Sequence, residues 1–222
     1  MAKILPSILT GDFMNLPSEV DMFNEEGIDE VHIDVMDGNF VPQITFGSKF
    51  LKDLKVKCPD MKYDTHLMIN NPLKYAEEFL LAGATSILVH IENNSTKELL
   101  EIKKLCKKHN ADFGITLNPE TKVSKIKKAL FYTNPEIVLI MSVHPGFGGQ
   151  SFIESTLDKA DELKKIKEKK NYKFTLEIDG GVNEYNFKHI KDRGVERIVV
   201  GSGIYKNGDI KNNLVKFKGL DK

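Results

Sequence analysis

Two short segments of this sequence place an imidazole beside a carboxylate or a thioether on one face of an extended chain. In Val31-His32-Ile33-Asp34-Val35-Met36-Asp37-Gly38 the strand period of two sends His32, Asp34 and Met36 to one side. Val31, Ile33 and Val35 go to the other. Asp64-Thr65-His66-Leu67-Met68 repeats the pattern with His66 and Met68. Asp179 stands before Gly180-Gly181, and Met141 stands before Val143-His144-Pro145-Gly146-Phe147-Gly148-Gly149-Gln150. Brought together, two imidazoles and two carboxylates form a mixed nitrogen and oxygen donor set, of the kind that takes Zn²⁺, Fe²⁺, Mn²⁺ or Co²⁺. Taken singly, His32 and His66 read first as hydrogen-bonded core histidines, and Asp179 as a turn residue. Met36, Met68 and Met141 have an equally plain reading as fillers of irregular core gaps.

Glycines point to a second kind of chemistry. They cluster at Gly146–Gly149, at Gly180-Gly181 and in Val200-Gly201-Ser202-Gly203. A phosphate needs backbone N–H groups brought close, and a missing Cβ permits that approach. Tight turns would explain any one cluster; three at successive strand ends favour phosphate. Neither G-x-x-x-x-G-K-[ST] nor G-x-G-x-x-G occurs, which leaves nucleoside triphosphates and dinucleotides without their usual loops.

All of these residues sit just beyond short apolar runs. Strands are expected near Ile4–Leu9, Glu30–Val35, Lys62–Met68, Ser86–Ile91, Asp112–Leu117, Ile137–Ser142, Phe174–Ile178 and Arg197–Val200. Helical periodicity falls between them, at Pro17–Glu26, Ser48–Lys55, Pro72–Ala82, Thr96–His109, Lys122–Ala129, Ser155–Lys169 and Glu184–Arg193, with a weaker stretch at Ile210–Phe217. Pro17 and Pro72 suit helix starts, and Gly27, Gly83 and Gly194 suit helix ends. Eight strand–helix units imply parallel strands joined by right-handed crossovers. They fit a closed (β/α)8 barrel better than an open sheet. In such a barrel the site lies at the C-terminal strand ends, and the loops after strands 7 and 8 often hold phosphate.

The chain's 222 residues leave room for one barrel, read here as a single catalytic domain over residues 1–222. Hydrophobic residues at 41% and charged residues at 29% are ordinary for a globular protein. Lysine plus arginine equals aspartate plus glutamate at 32 each, which argues against a nucleic-acid partner. The lysine run from Lys164 to Lys170 reads as a solvated helix face. Cys58 and Cys106 are isolated and fit reduced thiols in a cytoplasmic protein. No secretory leader is expected before the first strand, and no apolar run approaches a membrane span.

At its chemical residues the sequence resembles the ribulose-phosphate 3-epimerase family. The matching stretches are Leu5-Pro6-Ser7-Ile8-Leu9, the segment HIDVMDGNFVPQITFG from His32 to Gly47, and HLM from His66. They continue with Met141 and HPGFGGQSF from His144 to Phe152, then EIDGGV from Glu177 to Val182 and VGSGIY from Val200 to Tyr205. The resemblance implies an isomerase that interconverts D-ribulose 5-phosphate and D-xylulose 5-phosphate through an enediolate. It implies one divalent metal per subunit, zinc before Fe(II), Mn or Co, held by His32, Asp34, His66 and Asp179. Asp34 and Asp179 would also exchange the proton at carbon 3 from opposite faces. Ser7 and His66 would touch the sugar, with Met36, Met68 and Met141 packed on the planar intermediate. The backbone of Gly146, Phe147, Gly148, Gly149, Gly180, Gly181, Gly201 and Ser202 would meet substrate, largely at its phosphate, and Asp179 would touch it too. A homo-oligomer is implied as well. His144, Asn39 and Gln43 are local departures that remove no proposed ligand or base.

Two rivals keep other chemistry open. An allulose-6-phosphate 3-epimerase would use the same residues, and a phosphosugar-binding barrel would need no bases at all. A decarboxylase or synthase of the orotidine-phosphate decarboxylase group would carry Asp-x-Lys-x-x-Asp after strand 2. Asp34-Val35-Met36-Asp37 stands there instead.

Overall fold

The apolar runs become eight strands: β1 (Lys3–Pro6), β2 (Glu30–Met36), β3 (Lys62–Met68), β4 (Ser86–His90), β5 (Asp112–Leu117), β6 (Ile137–Met141), β7 (Thr175–Asp179) and β8 (Arg197–Val200). They come from a computed structural model that describes residues 2–221, so Met1 and Lys222 of the domain expected over 1–222 lie outside the described residues. All neighbours are parallel, in the order β1-β8-β7-β6-β5-β4-β3-β2. A parallel bridge between Ser7 and His32 draws β1 onto β2 and nearly closes the ring. The helices are α1 (Leu16–Glu25), α2 (Ser48–Lys57), α3 (Pro72–Ala82), α4 (Thr96–Lys108), α5 (Lys127–Thr133), α6 (Leu157–Lys170), α7 (Phe187–Asp192), α8 (Ser202–Tyr205) and α9 (Ile210–Leu220). The expected (β/α)8 barrel is the fold observed. Among the described residues no helix is long and apolar enough to cross a membrane.

The period of two divides each strand between two cores. Outward side chains such as Val31, Ile33, Ile87, Val138 and Ile178 join one large apolar cluster beneath the helices. Inward side chains fill the barrel. On the β4–β6 side Leu88, Ile137, Leu139 and Met141 make an apolar filling, beside the buried polar Ser86, His90 and Thr116. Gly114 makes room there, since a Cβ on it would collide with Leu88 Cδ2. Across the barrel the inward positions of β2, β3, β7 and β8 carry charge instead.

Several boundaries differ from expectation for local reasons. The first strand stops at Pro6, because the Ser7 hydroxyl accepts the N–H of Leu9 and starts a 3-10 turn at Ile8–Thr10. The helix expected at Lys122–Ala129 is a 3-10 turn at Val123–Lys125 followed by α5. α7 starts only at Phe187, because Asn183 and Asn186 each accept the other's backbone N–H on a side-chain oxygen and hold a turn there. The short α8 was not foreseen. Gly27, Gly83 and Gly194 do follow helices with positive φ.

Candidate functional site

β2 and β3 pair so that Asp34 stands opposite His66, and Met36 opposite Met68. β6 and β7 likewise set Met141 against Asp179. Paired residues of a parallel ladder point to the same face, so these side chains all enter the barrel mouth. Ligand atoms of His32, Asp34, His66 and Asp179 lie within 4.8 Å of one another. His32 Nε2 stands 3.3 Å from Asp34 Oδ1 and 3.9 Å from Asp179 Oδ2. His66 Nδ1 stands 3.3 Å from the same Asp34 oxygen. Ser7 donates its hydroxyl to Asp34 Oδ2 at 2.8 Å, across the seam that closes the barrel.

This donor set fits a divalent cation. His32 Nδ1 lies 2.6 Å from Asp64 Oδ2, and a carboxylate there holds the Nδ1 proton and turns Nε2 toward the cluster. Nε2 is fully buried and has no hydrogen-bond partner among the described residues. Burial opposes a charge on His32, yet Asp34 and Asp64 outweigh it and hold its proton affinity well above the usual value. Carboxylates that favour a proton at that nitrogen also favour a cation in its place. Burial acts in the same direction at His66, and there it outweighs Asp34 and pushes the ring down to about 4, which keeps the imidazole neutral and able to ligate.

The two aspartates are driven apart. Burial pushes the Asp34 carboxyl up, but its neighbours, His32 foremost, outweigh it and hold it far below the usual range. Asp179 is pushed up to about 7, first by burial and then by the negative charge of Asp34. Two carboxylates this close cannot both ionise cheaply without a counter-charge. The site can thus offer an ionised carboxylate and a protonated one at the same moment.

Above the cluster a cavity opens to solvent. It is lined by Ser7, Asp34, Met36, Met68, Met141, Asp179, the Gly146–Gly149 loop, Gly180, Gly181, Gly201 and Ser202. All of the expected site residues therefore converge; His32 and His66 sit beneath the cavity as fully buried members of the cluster. Gly148 and Gly149 donate to no backbone carbonyl among the described residues, so their N–H groups are free for a ligand. Gly181 has φ +65°, and a Cβ on it would meet Phe152 N at 2.5 Å. Phe147 is 51% exposed over the opening. His144 stays outside the lining and pairs with Glu120 at 2.9 Å on the surface.

The geometry is matched by kinship. The family model described as "Ribulose-phosphate 3 epimerase family" matches residues 3–205. The chain belongs to this family. The ribulose-phosphate 3-epimerase of Aquifex aeolicus (strain VF5) is 41% identical over 220 residues, which cover 99% of this chain and 97% of that protein. That of Bacillus subtilis (strain 168) is 38% identical, covering 99% of both. Escherichia coli (strain K12) has one that is 36% identical over 94% of this chain and 91% of its own. Two solved structures are similar in fold alone. A 3-keto-L-gulonate-6-phosphate decarboxylase from Vibrio cholerae has TM-score 0.70 at 13% identity, covering 99% of this chain and 97% of that one. A 3-hexulose-6-phosphate synthase from Salmonella typhimurium has TM-score 0.74 at 14% identity, covering 98% and 97%.

In this family member several buried polar residues went unread in the sequence. Arg197 reaches Glu30 at 3.0 Å, Asp64 at 3.2 Å and Glu177, below the His32 ring. Ser86 also donates to Asp64. Burial and the neighbouring Asp64 push Glu177 up to about 8 despite Arg197. The signal was the same period of two, since Glu30, Asp64 and Glu177 each lie two positions before a residue already singled out. Gln150 was quoted only as part of a motif. Its side-chain amide donates to His144 O at 2.6 Å and Phe147 O at 2.8 Å and braces the glycine loop.

Proposed function

We propose that this chain is a ribulose-phosphate 3-epimerase, inverting carbon 3 to interconvert D-ribulose 5-phosphate and D-xylulose 5-phosphate. The observation that carries the reading is the pair Asp34 and Asp179, within 4.8 Å and with opposed proton affinities, under a glycine-rich mouth. Family membership supplies the substrate class.

The carbon-3 proton is acidified by the carbonyl at carbon 2. In one direction Asp34, ionised, takes that proton while Asp179, protonated, gives one to the opposite face; in the other direction they exchange roles. Positioned acid–base groups of this kind typically contribute about 10²–10⁴-fold each. Met36, Met68 and Met141 pack against the planar enediolate and keep water from protonating it. Ser7 meets the sugar while its hydroxyl steadies Asp34. The phosphate lies against the backbone of Gly146–Gly149, Gly180-Gly181 and Gly201-Ser202.

His32, Asp34, His66 and Asp179 would hold the divalent cation. Their donors suit zinc first, then Fe(II), Mn(II) or Co(II). When bound it supplies Lewis-acid stabilisation of the charge that develops on the substrate's carbonyl oxygen. Homo-oligomeric assembly and a cytoplasmic location belong to the same reading. The buried free thiols of Cys58 and Cys106 fit a reducing compartment. Purified protein assayed in parallel on ribulose 5-phosphate and allulose 6-phosphate tests the proposal. A higher kcat/KM on the pentulose is expected; a higher value on the hexulose, or no turnover of either, overturns it.

A further inference from the structure

β4 ends on His90, and neither this residue nor Glu92 has a part in the chemistry above. His90 is fully buried, and its Nε2 stands 2.9 Å from Nε2 of His66. The two rings are 23° from coplanar with centroids 5.0 Å apart, so they meet edge to edge, in the plane where an N–H···N bond forms. On its other edge His90 Nδ1 lies 3.1 Å from Glu92 Oε2. Glu92 Oε1 accepts the N–H of Asn118 at 2.8 Å, and Phe40 packs on the His90 ring with centroids 4.7 Å apart.

A nitrogen–nitrogen contact this short needs a proton on one side and a lone pair on the other. Burial pushes the Glu92 carboxyl up, but His90, Thr121 and the Asn118 N–H outweigh it and hold it down at about 2. An ionised Glu92 accepts the Nδ1 proton of His90, which leaves a neutral His90 with a bare Nε2. His66 must then donate from its own Nε2. A neutral imidazole has a single N–H, so His66 Nδ1, the nitrogen that faces Asp34, keeps its lone pair. The opposite arrangement puts the His66 proton on Nδ1 and requires His90 to carry protons on both nitrogens. That would bury a second cationic ring beside the cluster, and it would block His66 as a ligand.

We propose that His90 is a positioning residue: backed by Glu92, it fixes His66 as its Nε2–H tautomer and so presents the bare Nδ1 to a divalent cation. It does for His66 what Asp64 does for His32, through an intervening imidazole. The consequence for the metal rests on reading His32, Asp34, His66 and Asp179 as its ligands; the tautomer does not.

Two measurements on the full chain test this. Long-range proton–nitrogen NMR of chelator-treated, nitrogen-15-labelled wild type, with His66 assigned through His66→Gln, should show a protonated Nε2 and a bare Nδ1. Zinc should then shift Nδ1. A protonated Nδ1 on His66 overturns the proposal. Zinc affinity by competition with a chromophoric chelator is the second, on wild type, His90→Phe and His90→Gln, each checked for folding by circular dichroism. His90→Phe should bind about 10–100-fold more weakly, the usual loss when a ligand's hydrogen-bond partner is removed. His90→Gln, whose amide oxygen accepts from His66, should keep most of the affinity. Equal affinity in wild type and His90→Phe, or an equal loss in both variants, also overturns it. A wild type that shows the expected tautomer but binds no zinc would sink the metal reading and leave the role of His90 in fixing His66 standing.

Discussion

Asp34 and Asp179 come from strands three places apart around the barrel, yet their carboxylate oxygens lie within 4.8 Å and their proton affinities diverge. Asp34 is held low first of all by the His32 imidazole, and Asp179 is raised by burial and by Asp34 itself.

Two separate bases predict a particular isotope pattern. Each carboxylate trades its proton with water after product leaves. Product formed in deuterated water should carry deuterium at carbon 3, while substrate recovered at low conversion should carry little. One swinging base would return the abstracted proton and leave much product unlabelled. Mass spectrometry of both sugars at low conversion distinguishes the two, and mostly unlabelled product would rule out the Asp34–Asp179 pair.

Stripping divalent metal should abolish turnover, and Zn²⁺, Mn²⁺ or Co²⁺ should restore it. His66→Ala should lose metal occupancy and rate together, because Nδ1 is one of the donors in the cluster. The check is elemental analysis and activity on one sample. Full activity in a preparation with no detectable metal contradicts the assignment.

Crowding the glycine loop should act on substrate binding alone. A Cβ on Gly148 would stand 3.2 Å from Thr10 Cγ2, and the branches of valine would fill the mouth beside free N–H groups. Losing a hydrogen bond to a charged group costs about 1.5–3 kcal/mol. Gly148→Val should therefore raise KM for ribulose 5-phosphate by roughly ten- to a hundredfold. Zinc affinity should stay near wild type. An unchanged KM in the folded variant would place the phosphate elsewhere.

Arg197 should matter for stability more than for catalysis. Its guanidinium is the cation shared by Glu30, Asp64 and Glu177 inside the barrel. Arg197→Met leaves those carboxylates buried without it, and breaking a buried pair in this way costs about 3–5 kcal/mol. Urea unfolding at neutral pH reads the loss. A change below about 1 kcal/mol would mean that the network relaxes or takes up protons at no cost.

Which side chains face inward can be read along the chain, because strand side chains alternate whatever the partner strand is. Hence His32 and Asp34, His66 and Met68, and the glycine clusters were legible as a set at strand ends. Strand–helix alternation was enough to imply the barrel. Helix limits were less legible near Lys122 and Glu184, where 3-10 and Asn-centred turns compete with helical periodicity. Other features exist only once the strands are packed. Closure of β1 onto β2 sets Ser7 on Asp34, a contact between residues 27 positions apart. His90 looks like any strand residue until β4 packs beside β3 and brings its ring to His66. The contrast between Asp34 and Asp179 is likewise absent from their residue type. A carboxyl's proton affinity depends on the desolvation and charges around it, and the barrel supplies the His32 imidazole to one and a neighbouring carboxylate to the other.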